Sequence, residues 1–176
     1  MPPLIPSIGG AWCLMKATDM TTAAATNTLW LGAFVCIAVF VLSCLRREQD
    51  APPATEVFNR MGEVILLMAA GYSNDWVVKL YGIPLGWVAA CLALLSEFIR
   101  GLGNTHVGIM AAPRRMTLLA MASLGCIFEP AFRKDGKVEA CMQAALTLII
   151  VGAALTAWQR LRAISKDSSN KTSRQS

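Results

Sequence analysis

Apolar residues in this chain follow one another in long runs, without the strict alternation that marks a half-buried strand. Five runs of 13 to 21 residues can be traced, and a helix needs roughly 20 residues to cross a hydrocarbon core. They cover residues 28–45, 56–72, 83–99, 116–128 and 138–158, with bounds that are approximate. The pattern predicts an all-α polytopic transmembrane helix bundle of about five spans.

The segments outside these runs have a different composition. Residues 1–27 are rich in Pro, Thr, Ala and Gly and show no sustained periodicity, so we expect a poorly ordered leader. Residues 28–160 form the predicted transmembrane domain. Residues 161–176 are basic and Ser-rich, and we expect a cytoplasmic tail that is disordered from about Ser165.

The composition supports a partnership with the lipid bilayer. Hydrophobic residues make up 55% of the chain and charged residues only 15%, which is too apolar for a water-exposed domain. A net charge of +5 is compatible with nucleic acid, but no basic patch is interleaved with aromatic residues, so no nucleic-acid partner is expected. The six cysteines include no C-x-x-C pair, which indicates neither a zinc site nor a disulfide framework.

The distribution of Lys and Arg predicts the orientation of the bundle. These residues are more numerous after the first, third and fifth runs than on the opposite side. Cytoplasmic loops carry the excess of positive charge in membrane proteins. We therefore expect a cytoplasmic carboxyl terminus and an external amino terminus.

The second run begins with polar residues, and they are the strongest functional signal in the sequence. Thr55, Asn59 and Glu63 are spaced by four and therefore share one face of a helix. An ionisable residue such as Glu63 at membrane depth is a candidate for function. In the alternative interpretation, Glu63 pairs with Arg60 or Arg46 near the interface and only anchors the helix.

This spacing resembles the motif of the CDP-alcohol phosphatidyltransferases, which make phospholipids in membranes. Their motif reads Asp, two residues, Asp-Gly, two residues, Ala-Arg, eight residues, Gly, three residues, Asp, three residues, Asp. When its closing part is placed on Thr55, Asn59 and Glu63, the Arg of the family falls on Arg46 without a gap. The first Asp, the second Asp, the Gly and the Ala of the motif then correspond to Ala38, Val41, Leu42 and Leu45.

Further stretches resemble a bacterial branch of that family. Residues 59–63 run into residues 67–72 as Asp-Arg-x-x-Asp runs into an Ala-Gly-Tyr helix in that branch. Residues 98–103 and 108–116 are similar to its segments Arg-Ala-Leu-Gly and Gly-Pro-Met-Ala-Lys-Pro-x-Arg-Met. In the second of these segments, this chain has Ile109 where the branch has Pro, and Ala112 where the branch has Lys. The resemblance to a bacterial branch implies an inner-membrane location.

The resemblance covers about residues 29–160 and implies a reaction. In the family, a phosphatidyl or substituted phosphate group passes from a CDP-alcohol to an acceptor alcohol and CMP is released. Carboxylates hold two divalent cations, Mg²⁺ or Mn²⁺, and the last carboxylate acts as the base. Here Glu63 would be the catalytic base, and Asn59 and Glu63 would be the metal ligands. The substrate-binding residues implied by the resemblance are Arg46, Thr55, Asn59, Arg100 and Arg115.

The departures from the motif predict an eroded active site. Glu63 is the only acid among the four aligned positions, so two bound cations would leave positive charge uncompensated. Arg100 and Arg115 would either bind phosphate or anchor the helices at the interface. The family has six spans, and residues 1–27 are too polar to supply the first, which implies a truncated relative.

Two functional hypotheses follow. In the first, the chain is a phosphatidyltransferase-like protein that binds CDP-diacylglycerol or another CDP-alcohol. In the second, it is a non-catalytic membrane scaffold or subunit that packs against partner helices, and the family resemblance makes a homodimer one such assembly.

Overall fold

Six α-helices account for nearly all of the described chain. In this computed structural model the described residues are 4–19, 23–46, 53–72, 85–103, 110–132 and 140–172, and no strand occurs in these ranges. The helices are α1 (Leu4–Asp19), α2 (Ala23–Arg46), α3 (Pro53–Tyr72), α4 (Leu85–Gly103), α5 (Ala112–Phe132) and α6 (Ala140–Thr172). The predicted all-α class is confirmed.

Three of these helices are long and apolar enough to cross a membrane. The segments Ala24–Leu45 in α2, Leu85–Leu102 in α4 and Ala140–Lys166 in α6 meet this description by length and composition. Large apolar side chains are also exposed on the outer surfaces of all six helices. Soluble monomers rarely expose such extensive apolar surface, so the exposure supports a membrane protein. The predicted count of about five spans is not confirmed.

The expectation of a poorly ordered leader over residues 1–27 is wrong for residues 4–19, which form α1. The buried face of α1 carries Ser7, Gly10, Leu14 and Ala17, which recur at helical spacing. Most of these side chains are small, so the face lacks the large apolar stripe that predicts a helix. Helices in lipid gain little from burying apolar side chains against each other, because the lipid tails are equally apolar. They associate instead through close packing of small residues. The outward face carries the larger apolar residues Ile5, Ile8, Trp12 and Met15.

Other helix ends also lie beyond their predicted positions. Helix α2 begins at Ala23, within the expected leader, and α5 begins at Ala112, with Pro113 in its first turn. Proline suits this position because the first amide groups of a helix have no partner within it. Helix α6 continues to Thr172, so the expected disorder from Ser165 does not hold for residues 165–172. Residues that favour helices, including Gln, Arg, Leu and Ala, continue the helix after the apolar run ends.

The six helices form a closed ring in the order α1, α2, α5, α6, α4, α3, and α3 also contacts α5 and α6. Neighbours in sequence run in opposite directions. Gly71 near the end of α3 adjoins Gly86 near the start of α4, and Gly125 of α5 faces Cys141 at the start of α6. One end of the ring therefore gathers the starts of α3 and α5 with the carboxyl-terminal parts of α4 and α6.

Candidate functional site

Seven charged side chains from four helices meet at this end of the ring. They comprise three carboxylates and four guanidinium groups, and we call them the ion-pair cluster: Glu56, Arg60 and Glu63 of α3, Glu97 and Arg100 of α4, Arg115 of α5, and Arg160 of α6. Ionisable side chains within an apolar bundle are unfavourable unless they pair with one another or face water. The cluster brings together charges that are widely separated in the sequence.

The most buried pair joins Glu63 to Arg115. Glu63 is 2% exposed and Arg115 is fully buried. Arg115 Nε donates to Glu63 Oε1 at 2.5 Å, and Arg60 Nη1 lies 3.4 Å from Glu63 Oε2. Arg115 Nη1 donates to the carbonyl oxygen of Met110 at 2.8 Å and lies 3.4 Å from Ser96 Oγ. Both oxygens of the Glu63 carboxylate therefore face a guanidinium group.

Glu97 lies at the centre of the cluster. Its Oε2 is 2.9 Å from both Arg60 Nη2 and Arg100 Nε. Its Oε1 is 3.6 Å from Arg115 Nη2 and 3.7 Å from Arg160 Nη1. These four arginines belong to α3, α4, α5 and α6, so one carboxylate connects all four helices that contribute to the cluster.

The rim of the cluster is open. Arg100 Nη2 lies 2.5 Å from Glu56 Oε1, and Arg60 Nη2 lies 3.4 Å from the same oxygen. The side chain of Glu56 is 58% exposed and that of Arg100 is 36% exposed. Solvated pairs of this kind contribute little to stability because water screens their attraction. The cluster therefore has a buried inner part and a weakly held outer part.

A small hollow lies beside the inner part of the cluster. Its volume is about 20 Å³, which suffices for about one water molecule. Residues from three helices line it, including Val41 and Cys44 of α2, Asn59 and Glu63 of α3, and Pro113 of α5. Asn59 Oδ1 is buried there and accepts no hydrogen bond from any described residue. The structure thus brings Asn59 and Glu63 to one hollow, together with Val41.

The other residues predicted for the site fall into two groups. Arg100 and Arg115 lie in the ion-pair cluster, where Arg115 is fully buried and Arg100 is partly exposed at the rim. Arg46 ends α2 and Thr55 lies in the first turn of α3, but both side chains are outside the described part of the structure. A role for any of these four residues in binding substrate stays a prediction.

The alternative interpretation of Glu63 is confirmed in part. Its predicted pairing with Arg60 is present, and the stronger contact with Arg115 was not predicted. A pairing with Arg46 falls outside the described side chains.

The donor set does not suit Mg²⁺ or Mn²⁺. Among the described residues, no group of three or more His, Cys, Asp or Glu side chains is placed to hold a metal ion. At the predicted position, both oxygens of Glu63 are engaged by Arg115 and Arg60, and only Asn59 Oδ1 is open. Hard cations require several oxygen ligands, and two adjacent guanidinium groups would repel a third positive charge.

Four members of the cluster, Glu56, Arg60, Glu97 and Arg160, were not predicted as site residues. Glu97 interrupts the third apolar run, and an ionisable residue in such a position is itself a functional signal. Arg160 follows the fifth run and was counted among the basic residues that predict the orientation of the bundle. Its side chain is nevertheless buried and donates a hydrogen bond to the carbonyl oxygen of Ser96. Their partners could not be identified from the sequence, because Arg160 lies 64 residues from Ser96.

Comparison with known proteins identifies no relative of this chain. No family model matches it, and neither a curated protein nor a solved structure is similar to it.

Proposed function

We propose that this chain is a membrane-embedded relative of the CDP-alcohol phosphatidyltransferases that binds a phosphate-bearing lipid but no longer transfers its headgroup. One observation carries the proposal. Val41, Asn59 and Glu63 correspond to three of the four aspartates in the family motif, and all three line the same hollow. The motif alignment alone does not require a residue of α2 to meet residues of α3 in space, so this coincidence supports the resemblance.

The loss of transfer follows from the surroundings of Glu63. A general base must come within hydrogen-bond distance of the hydroxyl group that it deprotonates. Both oxygens of Glu63 are instead held by guanidinium groups, and the hollow of about 20 Å³ leaves no room for an acceptor alcohol beside a nucleotide. The carboxylate therefore serves as a link between α3 and α5.

The capacity to bind a phosphate lies at the rim of the cluster. Arg100 is partly exposed there, and a guanidinium group recognises phosphate through two parallel hydrogen bonds. Binding a lipid phosphate therefore does not require the inner pair of Glu63 and Arg115 to separate. We place this rim on the cytoplasmic side of a bacterial inner membrane, following the distribution of basic residues.

A second candidate function is a non-catalytic scaffold that packs against partner helices or against a second copy of the chain. The exposed apolar face of α2 favours it. Four large apolar residues on that face remain about half exposed in the described structure: Leu31, Val35, Val39 and Leu42. In a bilayer this face meets either lipid or another helix.

Assays of the purified protein distinguish these functions. The protein is incubated with CDP-diacylglycerol, Mg²⁺ or Mn²⁺ and a panel of acceptor alcohols, and release of CMP is measured. Binding of CDP-diacylglycerol and of phosphatidic acid is measured in parallel. The variant Glu63→Gln is assayed beside the wild type. We expect binding of CDP-diacylglycerol without release of CMP in either protein.

Two results would contradict the proposal. Release of CMP by the wild type that is lost in Glu63→Gln would show that Glu63 still catalyses transfer. Absence of binding to both CDP-diacylglycerol and phosphatidic acid by a folded protein would favour the scaffold.

A further inference from the structure

An open groove runs between α3 and α4 on the outer surface of the bundle. Its volume is about 770 Å³, far larger than that of the hollow beside Asn59. One end is lined by two carboxylates and two guanidinium groups of the ion-pair cluster, those of Glu56, Glu97, Arg60 and Arg100. Its apolar walls include Val57, Met61, Val64 and Leu94. The groove therefore has a charged head and an apolar body.

The length of the groove matches one leaflet of a bilayer. Its lining on α3 extends from Glu56 to Ile65. Nine residue steps in a helix span roughly 14 Å at 1.5 Å per residue. Half of a hydrocarbon core of about 30 Å is about 15 Å. The charged stretch from Glu56 to Arg60 takes up roughly 6 Å of this length, so the apolar body covers the remaining distance of roughly 8 Å, about half of one leaflet.

The charged head offers hydrogen-bond donors for an anion. Arg100 uses Nε to contact Glu97 and Nη2 to contact Glu56, whereas its Nη1 takes part in no contact with the described residues. Its partner Glu56 is more than half exposed, so water weakens this pair. A phosphate oxygen can therefore approach Nη1 from the groove, and it can also displace the Glu56 carboxylate from Nη2.

We propose that this groove binds one bilayer glycerophospholipid, with its phosphate diester on Arg100 and one acyl chain between α3 and α4. The whole cluster holds four guanidinium groups against three carboxylates, and this surplus of one positive charge favours a phosphate at the charged end. The apolar walls next to it favour an acyl chain. No nucleotide is needed for this contact. The inference rests on the proposed function, because it extends the phosphate contact at Arg100 to a lipid class and to a site for its acyl chain.

Native mass spectrometry of the delipidated protein in detergent, titrated with phosphatidylglycerol, tests this site. The variant Arg100→Gln removes the phosphate contact, and the variant Met61→Trp with Leu94→Trp fills the apolar body. Matched controls are Arg162→Gln and Val151→Trp, which change exposed residues on α6, away from the groove. We expect each groove variant to weaken the first binding event by about tenfold or more, and each control to change it by less than about twofold.

Three results would overturn the proposal. The first is equal binding by Arg100→Gln and Arg162→Gln. The second is binding of diacylglycerol, which lacks phosphate, as tightly as phosphatidylglycerol. The third is a lipid-free dimer that the tryptophan substitutions in the groove dissociate, because a second copy of the chain would then occupy it. The two failures are distinguishable. Release of CMP that depends on Glu63 would overturn the proposed function and leave the groove in place, whereas equal binding of phosphatidylglycerol by Arg100→Gln and Arg162→Gln would overturn the groove alone.

Discussion

The two ends of the α3–α4 helix pair are held together in different ways. At the end that contains the ion-pair cluster, Arg60 Nη2 and Glu97 Oε2 approach to 2.9 Å. At the opposite end, Gly71 and Gly86 bring the two backbones into direct contact, so that a Cβ on either residue would overlap backbone atoms of the other helix. One contact joins two long charged side chains, and the other depends on the absence of side chains.

The difference shows how a bundle can associate where lipid surrounds it. Neighbouring helices gain little from apolar contact alone, because the lipid chains are equally apolar. Close packing of small residues and polar contacts between helices remain as sources of stability. In this chain the polar contacts occupy the end where a resemblance to transferases predicts catalysis. Charged residues at that end therefore serve the architecture as well as any ligand.

The largest effect is expected from breaking the buried part of the cluster. The substitution Glu63→Met leaves the buried Arg115 without its closest carboxylate, and loss of one partner of a buried ion pair costs about 3–5 kcal/mol. The loss is measured as the free energy of unfolding by sodium dodecyl sulfate in mixed micelles. Glu56→Met is the control, because its exposed pair with Arg100 should contribute less than about 1 kcal/mol. Equal losses in the two variants would contradict the division of the cluster into inner and outer parts.

The next effect concerns the contact between glycines. Gly71→Ala should destabilise the bundle by about 3 kcal/mol, because the added methyl group meets the backbone of α4, which cannot rotate away. Gly101→Ala is the matched control within α4, since a Cβ there has nothing within 4 Å. It should be neutral or stabilise the helix by up to about 1 kcal/mol through helix propensity. A neutral effect of Gly71→Ala would show that α3 and α4 are farther apart.

The small residues also explain which parts of the fold the sequence predicted. Long apolar runs located α2 to α6, because lipid-facing residues such as Leu31 and Val35 are large and apolar. Helix α1 escaped prediction because its inward positions include Ser7 and Gly10, and its polar and small residues resemble those of a loop. The outward face of α1 does carry large apolar residues such as Ile8 and Trp12, but the Pro, Ser and Gly residues between them interrupt the apolar run that would have predicted a helix.

The candidate site was predicted less completely than the fold. The spacing of Asn59 and Glu63 placed them on one face, and the structure brings them to one hollow. The pairing of Glu63 with Arg115 joins residues 52 positions apart, and no local pattern specifies such a partner. This end holds four arginines and three carboxylates. Which arginine pairs with which carboxylate is determined by how the four helices pack, and the sequence alone does not give that packing.

A moderate effect is expected from disturbing α1. Gly10→Val should lower the free energy of unfolding by about 1–2 kcal/mol, because a Cβ at Gly10 already lies 3.0 Å from Leu66 Cδ2 and 3.2 Å from Cys36 Cβ. Ile8→Val, on the exposed face of α1, should change it by less than about 0.5 kcal/mol. The same unfolding assay measures both. If the two variants behave alike, α1 does not pack against α2 and α3.

The smallest effect on stability is expected at the rim. Arg100→Gln should cost less than about 1 kcal/mol, because Arg100 is partly exposed and Glu97 keeps its contact with Arg60. Thermal unfolding in detergent without added lipid measures this effect apart from phosphate binding. A larger loss would assign Arg100 to the buried core.

The central claim is that Glu63 and Arg115 form a structural pair, and a double-mutant cycle tests it most directly. The free energy of unfolding is measured for the wild type, Glu63→Met, Arg115→Met and the double variant. A buried pair that is replaced by apolar side chains of similar volume is often close to neutral, whereas either single change leaves a charge behind. We expect the double variant to be more stable than either single variant, with a coupling of at least about 2 kcal/mol. Additive losses, with no coupling between the two positions, would contradict the claim.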